Sequence, residues 1–137
     1  MEAAAASTEI RILGWSVVLL LVQIMSQAVA LDLVGGIGPK YLLGPRDRGL
    51  ATTNVLANRL MRALRNLLDT YPAFVALALA LAVTGRTGGV AAVGAVVWLI
   101  ARCAHFLFYA AGVPVARTIA WLVSVAALAM MLWGLLA

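Results

Sequence analysis

The chain has 137 residues, 65% of them hydrophobic, and ten Lys and Arg against five Asp and Glu give a net charge of +5. A soluble domain is nearer half apolar, and a mean hydropathy of +1.06 leaves too little polar surface for one. The basic excess does not imply nucleic acid, because the charges flank or enter apolar runs and no soluble module remains to carry such a surface.

Apolar runs long enough to cross ~30 Å of hydrocarbon predict an all-α integral membrane four-helix bundle, with four transmembrane helices in a single domain over 1–137. The first span is expected over 12–31, with Ser16, Gln23, Ser26 and Gln27 as its polar side chains. The triplet Ala28-Val29-Ala30 resembles a signal-peptidase site. Glu2 and Glu9 against Arg11 deny the preceding segment the positive charge a signal peptide needs, so the span is expected to be retained. Asp32 and the glycines Gly35, Gly36 and Gly38 end it, and a loop rich in Gly and Pro follows, carrying Lys40, Arg46, Asp47 and Arg48.

The second span is expected over 56–83, and its first half is unusually polar. Arg59, Arg62, Asn66 and Asp69 are three and four residues apart, which puts them on one helical face with Arg65 beside them. Leu60, Leu64, Leu67 and Leu68 fall on the opposite face. An ionisable group at membrane depth costs at least ~2.5 kcal/mol and so faces a partner or water. Snorkelling to headgroups accounts for Arg59 and Arg62, but not for Asn66 and Asp69, which are deeper and short-stemmed. Pro72 leaves the Leu68 carbonyl without its usual donor, which suits a ligand ammonium, an ordered water or a plain kink.

A turn at 84–89 leads to the third span, expected over 90–111. Arg102, His105 and Tyr109 share one of its faces, and Phe106 and Phe108 read as packing residues. Cys103, the only cysteine, can form no intramolecular disulfide and makes no metal site, so it reads as a small packing residue and no metal is expected. Gly112-Val113-Pro114 ends this span, and the fourth is expected over 117–137.

Measured from the turn between the second and third spans, Asp69 and Arg102 both lie ~20 Å deep, and Arg65 and Tyr109 about 27 Å. The two polar faces are therefore level. They predict a pocket for a small anionic or zwitterionic molecule whose carboxylates pair with arginines and whose ammonium pairs with Asp69. Arg102 needs a partner that a short bundle is not expected to supply, which predicts a homo-oligomer. The positive-inside rule places the Lys40–Arg48 loop in the cytoplasm and both termini outside it, with Trp15 and Trp133 near the outer interface.

The run Arg62-x-x-Arg65-Asn66-x-x-Asp69-x-x-Pro72, then Arg102-x-x-His105-x-x-x-Tyr109, then Gly112-Val113-Pro114-x-x-Arg117-Thr118, resembles the MAPEG family, membrane-associated proteins of eicosanoid and glutathione metabolism. The loop Tyr41-Leu42-Leu43-Gly44-Pro45-Arg46-Asp47 is similar to that of small bacterial members, which implies a bacterial inner membrane. The resemblance covers about residues 12 to 135. It implies a homotrimer that binds glutathione as co-substrate between protomers, open to the cytoplasm. Arg65, Asn66 and Asp69 would hold the polar ends of glutathione, and His105, Tyr109, Arg117 and Thr118 would add contacts. Arg102 would be the catalytic residue, favouring thiolate over thiol for attack on a lipophilic electrophile from the bilayer. Arg46 or Arg48 would reach the ligand from the loop. The acidic position, usually Glu in the family, is Asp69 here, one methylene shorter.

Three functional readings follow: a glutathione transferase or peroxidase, a non-catalytic membrane subunit that binds a small ligand, or a small transporter. A carboxylate deep in the first span would favour the last, and none stands between Arg11 and Asp32.

Overall fold

The computed structural model describes residues 7–36, 38–45 and 52–137. Its helices are α1 (Thr8–Leu33), the short α2 (Pro39–Leu43), α3 (Val55–Thr84), α4 (Gly89–Ala111) and α5 (Pro114–Leu136). All but α2 are long and apolar enough to span a membrane. At 1.5 Å per residue even the 23-residue helices reach about 35 Å, more than the hydrocarbon thickness. The chain is thus an all-α integral membrane four-helix bundle.

Local chemistry sets the helix ends. The Ser7 hydroxyl accepts from Ile10 N–H, and Asn54 Oδ1 accepts from Ala57 N–H at 3.0 Å, so each satisfies one of the free amides of a first turn. At the other end of α4, Gly112 adopts φ +75°, a left-handed conformation that favours glycine, and Val113 N–H returns to the Phe108 carbonyl. Helix α5 then begins at Pro114, three residues before the span expected from sequence. Proline suits a first helical position, where its missing N–H costs nothing. Helix α3 runs through Pro72 without a break.

Helices α4 and α5 pack closely because two glycines let their backbones approach. A Cβ on Gly94 would lie 2.8 Å from the Ala127 carbonyl oxygen, and one on Gly134 would lie 2.8 Å from Ala91 Cβ. One apolar cluster, including Phe74, Leu81, Trp98 and Met131, fills the bundle toward the 84–89 turn. The Phe74 and Trp98 rings stack within it, 3.8 Å apart and 3° from parallel. A second cluster, Ala30, Leu31, Ala57 and Leu60 with Phe106 and Ala110 against it, fills the other end.

Two ties fix which ends lie together. Glu9 Oε1 accepts from Gly88 N–H at 2.7 Å, and Arg86 donates to the Leu135 carbonyl at 2.7 Å. The start of α1, the 84–89 turn and the end of α5 therefore share one end of the bundle. Trp15 and Trp133 are both exposed near it.

Arg59 is half-buried at the opposite end of the bundle. It donates to the Ala110 carbonyl at 3.4 Å and lies where a Gly112 side chain would be, so it stabilises the C-terminus of α4. Cys103 is exposed on the outer surface of α4 rather than packed within the bundle.

Candidate functional site

Between the two apolar clusters lies a polar layer. Its centre is Arg102, 1% exposed. Arg102 Nη1 donates to Asn66 Oδ1 at 2.8 Å, and Nη2 donates to the Asn66 carbonyl at 3.4 Å and to the Thr70 hydroxyl. A buried guanidinium is tolerated when neighbouring acceptors replace its hydration. Here the acceptors come from the polar face of α3, one turn apart, within the same chain. Arg102 therefore finds uncharged acceptors for two of its three nitrogens within its own chain. Leu60 and Leu67 are buried, as expected of the apolar face of α3, but Leu68 is exposed.

Asn66 also forms one wall of a polar cavity of about 220 Å³, lined with His105 and Tyr109 of α4 and Arg117, Thr118 and Trp121 of α5. Helical spacing on α4 puts His105 one turn from Arg102 and Tyr109 one turn further. The rings of His105 and Tyr109 meet edge to face, with centroids 5.5 Å apart. The Arg117 guanidinium lies 4.5 Å from the Tyr109 ring centroid, a cation–π contact across the α4–α5 turn. The Thr118 hydroxyl donates to the Pro114 carbonyl at 3.0 Å, and Thr118 lines the cavity. The cavity thus offers a cation, an amide, an imidazole, a phenol and an indole at one place, suited to a small molecule with an anionic group.

The sequence-predicted residues divide into three groups. Asn66, His105, Tyr109, Arg117 and Thr118 come together around the cavity. Arg102 sits behind the wall and touches it through Asn66. Arg65 and Asp69, with Arg62, are exposed on the outer face of α3 and do not line the cavity. Arg46 and Arg48 lie outside the described residues.

Trp121 and Thr70 were not anticipated. Trp121 lies four residues after Arg117, one turn along the same face of α5, and that spacing was the available signal. Thr70 carried none, since a threonine in an apolar helix reads the same whether it meets a lipid or a guanidinium.

Compared with known proteins, no curated protein and no solved structure matches this chain. Residues 12–137 match the model of the MAPEG family. That match covers nearly the whole length and includes every residue around the cavity, and on it the chain belongs to the MAPEG family.

Proposed function

We propose that this protein is a membrane-embedded, glutathione-dependent transferase or peroxidase, which activates a thiol as thiolate for attack on a lipophilic electrophile arriving from the bilayer. The observation that carries the reading is the cavity of Asn66, His105, Tyr109, Arg117, Thr118 and Trp121 inside a MAPEG-family membrane chain. Glutathione has two carboxylates, an ammonium and a thiol. Arg117 pairs with a carboxylate or the thiolate, Asn66 and Thr118 hydrogen-bond the peptide groups, and the Tyr109 phenol donates to an anion.

Arg65 and Asp69 join this site from a neighbouring protomer or from the rim. Asp69 stands at the middle of α3, exposed, with Arg62 and Arg65 on the same outer face. Charges at that depth do not face hydrocarbon. Their exposure supports an oligomer in which this face meets another copy and the ligand lies between protomers, and family membership favours a homotrimer. In the membrane, the Lys40 loop faces the cytoplasm and both termini lie outside it, in the inner membrane of a bacterium.

Arg102 takes one of two roles. It stabilises the thiolate by its charge, or it holds Asn66 in the cavity wall; its hydrogen bonds to Asn66 favour the second. The seating of Arg102 behind the wall also favours an alternative to the enzyme, a non-catalytic subunit that binds a small ligand.

The decisive experiment measures thermal stability in detergent with glutathione, then conjugation to a lipophilic electrophile. A ligand of the native state at a hundred times its Kd adds about 2.7 kcal/mol of stability. Stabilisation with turnover supports the enzyme, and stabilisation without turnover on a broad panel of electrophiles supports the binding subunit. No stabilisation by glutathione or any other low-molecular-weight thiol would sink both.

A further inference from the structure

Helix α1 carries a buried polar stripe. Glu9, Ser16 and Gln23 stand at every seventh position, and they are 0%, 0% and 2% exposed. Glu9 meets Gly88 N–H, and the Ser16 hydroxyl meets the Tyr71 hydroxyl at 2.9 Å. Gln23 Oε1 is buried, and so are Trp98 Nε1 and Arg102 Nε. None of these three atoms finds a hydrogen-bond partner among the described residues.

The fold places Gln23 and Arg102 at one level of the bundle, with Trp98 one turn away. Helices α1 and α4 run in the same direction, and the Glu9–Gly88 hydrogen bond sets their register at one end. At the other end Ala30 and Leu31 pack with Phe106 and Ala110. Counting the same number of residues from each member of the Glu9–Gly88 pair leads to Gln23 on α1 and Arg102 on α4, both about 21 Å down the bundle. Trp98 is one turn before Arg102 on the same buried face. In a membrane no bulk water reaches this depth, and each buried polar atom without a partner costs several kcal/mol by transfer measurements.

The polarities are matched to a single guest. Trp98 and Arg102 present two N–H donors, and Gln23 presents one acceptor. One water accepts from both donors and donates to Gln23, and about three hydrogen bonds is the usual complement of a buried water. We propose that Gln23, Trp98 and Arg102 bind one ordered water sealed inside the bundle, and that through it Gln23 is a positioning residue for Arg102 and so for Asn66 in the cavity wall. The water would give the Arg102 guanidinium a partner on its Nε edge, complementing Asn66 and Thr70 on the other two nitrogens. The positioning role rests on the reading of the cavity as a thiol site, whereas the water site does not.

The test uses the full chain in detergent, isotope-labelled at tryptophan and arginine nitrogens. Water-to-N–H cross-relaxation is read at the indole and Nε–H resonances, with Trp98 and Arg102 assigned through Trp98→Phe and Arg102→Lys. Both groups should show a long-lived water in the wild type. Gln23→Leu should abolish it, and Gln23→Glu, which keeps an acceptor, should retain it. Dry N–H groups at both positions in the wild type overturn the site, as does a water that survives Gln23→Leu at both. Gln23→Leu should weaken glutathione binding by roughly tenfold, as loss of a hydrogen bond to a charged group does, and Gln23→Glu should restore it. An unchanged affinity in Gln23→Leu overturns the positioning role. If the wild type takes up no thiol, the glutathione reading fails, and the water measurements still decide the site.

Discussion

Asn66 is shared between two environments, with its side-chain oxygen on Arg102 and its surface on the cavity. Replacing it by alanine removes a ligand contact and also strips a buried guanidinium of an acceptor, so Asn66→Ala should lower both affinity and stability, the latter by ~1–3 kcal/mol. Arg117→Ala should act differently: Arg117 is half-buried and its contact is with the Tyr109 face, so stability should change little while glutathione binding falls at least about tenfold, as for loss of a charge-assisted pair. Arg102→Leu separates the two roles open to Arg102. If its charge holds the thiolate, the thiol pKa of bound glutathione rises; if it only orders Asn66, affinity falls and the thiol titrates as in the wild type. Spacing alone made the face of Arg102, His105 and Tyr109 legible, because only that face of α4 carried charge. It did not reveal that Arg102 turns to Thr70 and Asn66 rather than to Asp69. An arginine reaches any of several neighbours on a facing helix, and sequence does not choose between them.

The sharpest constraint at the scale of elements is the turn between α4 and α5, because it presents Tyr109 and Arg117 to one another. Gly112 holds it with φ +75°, and the Arg59 guanidinium occupies the space where a side chain would project. Gly112→Ala should destabilise the protein by about 1–2 kcal/mol, chiefly from the left-handed backbone, because the Arg59 tip ends a flexible side chain and can swing aside. Adding Arg59→Ala should therefore restore little, and thermal melting of the double variant should stay close to that of Gly112→Ala. At the α4–α5 contact, Gly94→Val would press on the Ala127 carbonyl and should cost ~1–3 kcal/mol, as overpacking does. The four apolar runs made the helices legible, and Gly85 and Gly112 marked two of their ends. The buried stripe of Glu9, Ser16 and Gln23 was also present as a seven-residue spacing. Glu9 drew attention only as a charge near the start of the chain, and its burial against Gly88 depends on a long-range contact that no local pattern encodes.

For the molecule as a whole, the exposed charges of α3 and the loop charges make separate predictions. Asp69, exposed at membrane depth and too short to snorkel, calls for a neighbour, and with family membership favouring a trimer, native mass spectrometry from mild detergent should show one. Arg65→Leu should shift its dissociation without melting the protomer, because Arg65 is exposed on the outer face of α3. A monomer in every mild detergent would remove the interprotomer site. Orientation is tested at Gly38, which is exposed and has open space for a side chain. In a background without Cys103, Gly38→Cys should react with an impermeant thiol reagent only after the cytoplasmic face is opened, and labelling from outside intact cells would reverse the topology.

The indole in the cavity wall has an optical consequence. Trp15 and Trp133 are exposed on the outer surface, Trp98 is stacked on Phe74 in the core, and Trp121 borders the cavity. Brominated lipids should quench the emission of the first two, and the core ring should be indifferent to lipid and ligand alike. What remains after lipid quenching should then respond to whatever enters the cavity, and Trp121→Phe should abolish that response. Occupancy of the site becomes readable from intrinsic fluorescence, without a label and before any reaction has been found.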